Sequence, residues 1–170
     1  MKIHVIENVL VELKPVSTEV LTMLPSWAQK PPLRDYFRAW PPLQDWNSPT
    51  LLAQRLEWGY GIYENGTLVG LVQLCYPNQA ARCIEYGMLI DDDLSHNRYE
   101  TSLQVEQLIS KYIFETLNYN KLYVRILKTR TNLLTRLLNL GYKIEGTLEQ
   151  SARIDGQYVT ELLLAKFKGV

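Results

Sequence analysis

No glycine occurs between Gly87 and Gly141. A loop that wraps a phosphate with its backbone needs glycine, because amides must approach the anion closely and some positions require φ > 0. This stretch reads instead as helix, strand and helix. Thr101 to Leu117 places Val105, Leu108, Ile109, Tyr112 and Ile113 on one helical face. Lys121 to Lys128 is a buried-type strand through Leu122, Tyr123, Val124, Ile126 and Leu127. Asn132 to Leu140 is a second helix, closed by Gly141 at the left-handed position that follows a helix end.

The N-terminal half is punctuated by proline. Val9 to Lys14 reads as a first strand that Pro15 stops, and Ser17 or Thr18 caps a short helix over Glu19 to Leu24. From Pro25 to Pro49 the chain holds six of its eight prolines and three of its four tryptophans, Trp27, Trp40 and Trp46. One long helix is excluded there, since each proline removes a donor and restricts the residue before it. The tryptophans are too apolar for a flexible linker, so the segment is expected to fold down on the domain. Ser48-Pro49 starts a helix that runs to about Trp58. Tyr60 to Tyr63, Asn65-Gly66 and Leu68 to Cys75 form a hairpin with a type I′ turn, and Arg82 to Ile90 is a further strand. Tyr142 to Gly146 and Glu149 to Ile154 lead through Asp155-Gly156 into Tyr158 to Phe167, a closing hairpin.

The chain of 170 residues fits one domain spanning 1–170 with one core. Eighteen basic residues balance eighteen acidic ones, so no global field attracts nucleic acid or an anionic membrane surface. The N-terminus lacks a signal-peptide apolar region and no run approaches a membrane span. Cys75 and Cys83 show no metal-ligand spacing, and His4 and His96 lie far apart, so no metal site is expected. The expectation is a metal-free cytoplasmic protein that binds neither nucleic acid nor membrane. Strands, then helix, strand, helix and a hairpin give an α/β fold, with a mixed, mostly antiparallel sheet of six to seven strands and helices on both faces.

Several strings resemble the GNAT acetyltransferase superfamily, and within it the branch acting on ribosomal-protein N-termini and on spermidine. Tyr63-Glu64-Asn65-Gly66-Thr67-Leu68-Val69-Gly70 is similar to the family's (D/N)G-x-x-(I/V)G hairpin. Ile84-Glu85-Tyr86-Gly87-Met88-Leu89-Ile90-Asp91 resembles its EIGYxLxP strand. Leu137-Leu138-Asn139-Leu140-Gly141-Tyr142, continuing to Gly146, resembles LYEKLGFxxEG, and Ile154-Asp155-Gly156-Gln157-Tyr158 is similar to xRDGxY. The opening strand, Ile6 to Pro15, resembles that branch as well.

The resemblance implies transfer of an acetyl group from acetyl-CoA to a small-molecule or protein amine acceptor. The family's loop, R/Q-x-x-G-x-G/A, falls without gaps on Ser95, His96, Asn97, Arg98, Tyr99 and Glu100, with Thr101 opening the helix body. Both glycine positions are filled, by Arg98 and Glu100. Asn97-x-x-Glu100 is a capping box that would turn the helix's positive end onto the protein's own side chains. Arg98 and His96 are the side chains that could meet phosphate directly. Leu89 and Ile90, with Arg130 and Asn132 at the position of a CoA-contacting asparagine, complete the implied cosubstrate set. Leu137 stands where the family often has a tyrosine general acid.

Glu85 matches a carboxylate that deprotonates the acceptor amine in related enzymes, often through water; the structural alternative is a strand carboxylate facing solvent or pairing with Arg82 or Arg153. The segment 26–49 lies on the acceptor side, where Tyr36, Arg38, Trp40 and Trp46 are the candidate substrate contacts. Trp27 is expected to cover the sheet, and Asp91 to Asp93 to be a solvated loop. Cys75 and Cys83 read as small inert hydrophobes. The second reading is a catalytically inactive GNAT-fold protein that serves as a binding or adaptor module. Sheet edges and the closing hairpin are where a second copy would pair into a homodimer.

Overall fold

A computed structural model describes residues 2–6, 9–30, 56, 58–154 and 156–169. The chain forms two compact units: Met1–Leu74 with Gly87–Lys111, and Cys75–Tyr86 with Tyr112–Val170.

The first unit carries β1 (Lys2–Ile6), β2 (Val9–Pro15), α1 (Thr18–Gln29), β3 (Gly59–Glu64), most of β4 (Thr67–Asn78), the end of β5 (Cys83–Ile90) and α2 (Arg98–Lys111). Its strands follow the order β1-β2-β3-β4-β5, with β1 to β4 joined antiparallel. The β3–β4 hairpin turns on Asn65 (φ 50) and Gly66 (φ 86), the two positive angles that a type I′ turn requires. Tyr63 points to one face of β3 and donates through its hydroxyl to Glu19 of α1 at 2.8 Å. Glu64, the next residue, points to the other face and meets Thr101 of α2. The two helices of this unit therefore lie on opposite faces of its sheet, as expected.

The expected helix end at Leu24 is corrected: α1 runs on to Gln29 with Pro25 inside it. Val20, Leu24 and Trp27 form one stripe, each 0% exposed. Burying an indole of ~200 Å² at ~25 cal/mol/Å² is worth up to about 5 kcal/mol, which exceeds the ~3 kcal/mol cost of an internal proline. Of the expected helix from Ser48 to about Trp58 only residues 56 and 58 are described, both in turns, and the 26–49 segment beyond Lys30 falls outside the described residues.

Gly70 of β4 has no room for a side chain. A Cβ there would stand 2.2 Å from the Leu89 carbonyl oxygen and 3.1 Å from the Ile90 Cα. Both are backbone atoms of β5, so neither can swing away. Gly70→Ala is expected to cost about 3 kcal/mol by forcing the two strands apart, seen as a fall in the thermal midpoint with the native circular-dichroism spectrum retained. A substitution without cost would show that β4 and β5 are not held this closely.

The second unit holds the start of β5, a π-helical turn (Tyr112–Thr116), β6 (Lys121–Leu127), α3 (Thr131–Asn139), β7 (Lys143–Ile154) and β8 (Gln157–Phe167). Its order is β5-β6-β8-β7, where β5 pairs parallel with β6 and the others are antiparallel. On β6 the even positions Leu122, Val124 and Ile126 are buried, and the odd positions Lys121, Tyr123, Arg125 and Leu127 are half-buried. The stretch expected as one helix to Leu117 changes to π-helical geometry after Lys111. The two runs expected before the closing hairpin are one strand, β7, whose register shifts between Ile144 and Gly146 and again between Leu148 and Ala152. The sheet is mixed and mostly antiparallel as expected, and β1 brings its strands to eight.

Candidate functional site

In the first unit, the candidate residues lie along the end of β5 and the loop into α2. Leu89 and Ile90 are buried, and the Asp91 amide donates to the Val69 carbonyl at 2.8 Å. Asp91 itself departs from the expected solvated loop: it is 2% exposed. Its carboxylate accepts from the Trp27 indole Nε1 at 3.0 Å and from Lys30 Nζ at 2.7 Å. Lys30 also reaches Asp93 at 2.7 Å. Hydrogen bonds to Asp91 and then to Asp93 hold the Lys30 ammonium above its ordinary pKa against a smaller opposing effect of burial. The end of α1 is thereby tied to the start of the loop.

The loop's next residues converge on a carboxylate that the sequence did not single out. Glu64, the last residue of β3, is 2% exposed. It accepts from Ser95 Oγ at 2.6 Å, from the His96 amide at 2.8 Å and from Thr101 Oγ1 at 2.6 Å. Burial pushes Glu64 up, but the bonds from Ser95, Thr101 and His96 together outweigh it and hold the carboxyl below its ordinary value of 4.5. A carboxyl with a lowered folded pKa adds stability that is complete above the unfolded value and is lost as pH falls through the folded one. Wild type should therefore lose more thermal stability than Glu64→Gln on acidification below about pH 4.5. Equal acid sensitivity of the two would contradict this account.

The capping box forms by half. Asn97 Oδ1 accepts from the Glu100 amide at 3.2 Å, but Glu100 Oε1 accepts from Gln104 Nε2 at 3.1 Å, one turn along α2. Arg98 pairs with Asp92 at 2.5 Å, while His96 and Tyr99 are exposed. The loop amides of His96 and Glu100 are thus committed to the chain's own side chains. This arrangement does not fit a diphosphate held by those two amides: the His96 amide meets the Glu64 carboxylate, the Glu100 amide meets the Asn97 side chain, and Glu100 and Asp92 add like charge. A ligand phosphate about 4 Å from a carboxylate is repelled by roughly 1 kcal/mol in water and by several times that in a less polar site.

In the second unit the candidate is Glu85, opposite Tyr123 in the β5–β6 register. It is 7% exposed, and its partner is Arg125 rather than Arg82 or Arg153. Arg125 donates from Nε to Oε1 at 2.9 Å and from Nη2 to Oε2 at 3.2 Å, a bidentate pair. Arg82 reaches the Asn118 carbonyl, and Arg153 the Gly156 carbonyl. Burial raises the Glu85 pKa above its ordinary value; Arg125 opposes that rise and the charge of Glu161 adds to it. Glu161 is itself buried and accepts from Ser151 Oγ at 2.9 Å. Burial first, then the Glu85 charge, pushes the Tyr123 phenol up to about 12. A buried carboxylate with a raised pKa and a fixed charge partner has the character of a general base.

Arg130 precedes α3 and Asn132 lies exposed in its first turn, both in this unit. Leu137 is 2% exposed and packs inside. Cys75 and Cys83 are free thiols of intermediate exposure. Tyr36, Arg38, Trp40 and Trp46 lie outside the described residues. Among the described residues no cluster of ligating side chains could hold a metal ion, and no helix is long and apolar enough to cross a membrane.

Sequence reasoning missed Glu64 and Arg125. Arg125 was signalled by strand alternation, since it shares the odd face of β6 with Tyr123. Nothing local marked Glu64.

Residues 43–163 match the family described as Acetyltransferase (GNAT) domain. Among solved structures, a spermidine N-acetyltransferase from Vibrio cholerae in complex with CoA and spermine superposes with a TM-score of 0.78 at 16% identity, over 93% of this chain and 95% of that one. An acetyltransferase of the GNAT family from Bacillus anthracis gives a TM-score of 0.75 at 12% identity, over 98% of each chain. No curated protein matches.

Proposed function

The chain belongs to the GNAT acetyltransferase family, and from that premise we propose that it acts as a single cytoplasmic domain moving an acetyl group from the thioester of acetyl-CoA to an amine. The observation that supports this reading is Glu85, a buried carboxylate whose pKa is raised although a guanidinium is clamped to it. Glu85 takes a proton from the acceptor ammonium, directly or through a water. The freed nitrogen attacks the thioester carbonyl carbon, a C–N bond forms, the C–S bond breaks, the thiolate leaves, and the nitrogen releases its second proton to solvent as the amide forms. Because Leu137 has no proton to give, the thiolate takes its proton from solvent. A thiolate is a good enough leaving group for positioning beside the amine to carry most of the rate.

The acceptor class is a polyamine. The Vibrio cholerae neighbour was solved with spermine, and Glu85 and Glu161 supply two carboxylates against one guanidinium, a net negative environment for a cationic amine. Tyr36, Arg38, Trp40 and Trp46 are assigned to the acceptor side. Leu89 and Ile90 are assigned to the thioester's arm.

The test is release of free thiol from acetyl-CoA in the presence of spermidine, spermine or a peptide with a free N-terminus, with the acetylated product weighed by mass spectrometry. Acetylated polyamine is the expected result, and acetylated peptide alone would reassign the acceptor. No product with any amine would favour the second reading, a non-catalytic binding module. The capture of the loop's donors by Glu64 is the observation on that side.

A further inference from the structure

Three donors from one loop and one helix turn converge on a carboxylate that the chain itself supplies. Ser95 Oγ and the His96 amide come from the segment before α2, and Thr101 Oγ1 comes from its first turn. Both oxygens of Glu64 are engaged, in a setting 2% exposed to solvent. Two backbone amides with two hydroxyls at a helix start would make a phosphate receptor. Here one amide and both hydroxyls hold Glu64, and the other amide, of Glu100, is capped by Asn97. The positive end of α2 is likewise compensated by that carboxylate. A ligand phosphate entering this cradle would have to replace a carboxylate already bonded at charge-assisted distances.

We propose that Glu64 is a built-in anion that fills this cradle, so that the acyl donor is recognised by its pantetheine thioester arm and not by its diphosphate. This rests on the acyl-transfer reading and names its donor class: an acyl-pantetheine thioester, whether or not a nucleotide is attached. The arm is apolar and amide-bearing. It is assigned to the backbone at the end of β5, where the Leu89 and Ile90 side chains are buried and no anion receptor is needed. The missing glycines then cost the protein nothing, because no ligand phosphate has to approach that backbone.

The experiment compares acetyl-CoA with acetyl-pantetheine as donors, in wild type and in Glu64→Gln, and titrates both proteins calorimetrically with inorganic pyrophosphate. Wild type is expected to use the two donors with kcat/KM values within about threefold of each other, and to give no saturable heat with pyrophosphate. Glu64→Gln removes the internal charge. It is expected to bind pyrophosphate and to prefer acetyl-CoA by about tenfold or more, the factor that roughly 1.4 kcal/mol of phosphate contact supplies.

A wild-type preference for acetyl-CoA of tenfold or more, or pyrophosphate binding by wild type, would overturn the proposal. A folded Glu64→Gln that still ignores pyrophosphate would do the same. If Glu64→Gln does not fold, the two wild-type measurements decide alone. If neither donor is turned over, the acyl-transfer reading fails, and the pyrophosphate titrations of wild type and variant still decide whether Glu64 fills the cradle.

Discussion

Trp27→Ala is expected to lower the free energy of unfolding by about 3–5 kcal/mol, the range for emptying a buried aromatic site. Two losses combine. The indole is 0% exposed and belongs to the Val20, Leu24 and Trp27 stripe that carries α1 past Pro25. Its Nε1 also donates to Asp91, which is 2% exposed and is left with fewer donors when the indole is gone. Trp27→Phe separates the two losses, since it keeps most of the apolar contact and removes the donor. It should cost about 1–3 kcal/mol, the penalty for a buried group deprived of a partner. Asp91→Ala combined with Trp27→Phe should cost less than the sum of the two alone, because the pair acts as one unit. Urea unfolding followed by circular dichroism reads all of these. A loss below 1 kcal/mol for Trp27→Ala would mean that the proline-containing part of α1 is held by something other than this side chain.

The same residues show where the sequence was readable and where it was not. The β3–β4 hairpin was legible because Asn65-Gly66 carries its signal in two adjacent residues. The face of α2 was legible because Val105, Leu108 and Ile109, now seen fully buried, repeat at helical spacing. The contacts that define the candidate site join residues distant in sequence. Trp27 and Asp91 are 64 apart, Arg125 and Glu85 are 40 apart, and Glu64 and Thr101 are 37 apart. No local pattern encodes such pairings. Asp91 therefore read as one of three solvated acids, although only Asp92 and Asp93 are exposed. Absence of glycine after Gly87 spoke only to the backbone freedom of the loop. It said nothing of Glu64, the carboxylate that Ser95, the His96 amide and Thr101 meet. Glu100 was the nearest acid in sequence, yet it turns along α2 to Gln104, and the carboxylate in the cradle comes from β3.

Glu85→Gln is expected to reduce kcat by about 10²–10⁴-fold, the usual worth of a general base, with KM for the amine changed far less. The amide keeps the shape of the side chain and loses the ability to accept the proton. Its pH behaviour separates a base from a structural acid. Burial places the folded pKa of Glu85 above the ordinary 4.5, so the acid limb of kcat/KM in wild type should lie above that value. Arg125 is what keeps the limb from rising further. Arg125→Met should move it to higher pH, lowering activity most at the acid end and least at the alkaline end. Stability must change in a matching sense. A carboxyl with a raised folded pKa leaves the native state holding more protons than the unfolded one between the two values. Its contribution to stability therefore declines as pH rises from about 4.5 through the folded pKa and is flat above it, and Glu85→Gln should lack that decline. An acid limb unmoved in Arg125→Met, with Glu85→Gln retaining most of its turnover, would leave Glu85 as the partner that anchors a half-buried guanidinium. The proton acceptor would then have to be sought elsewhere.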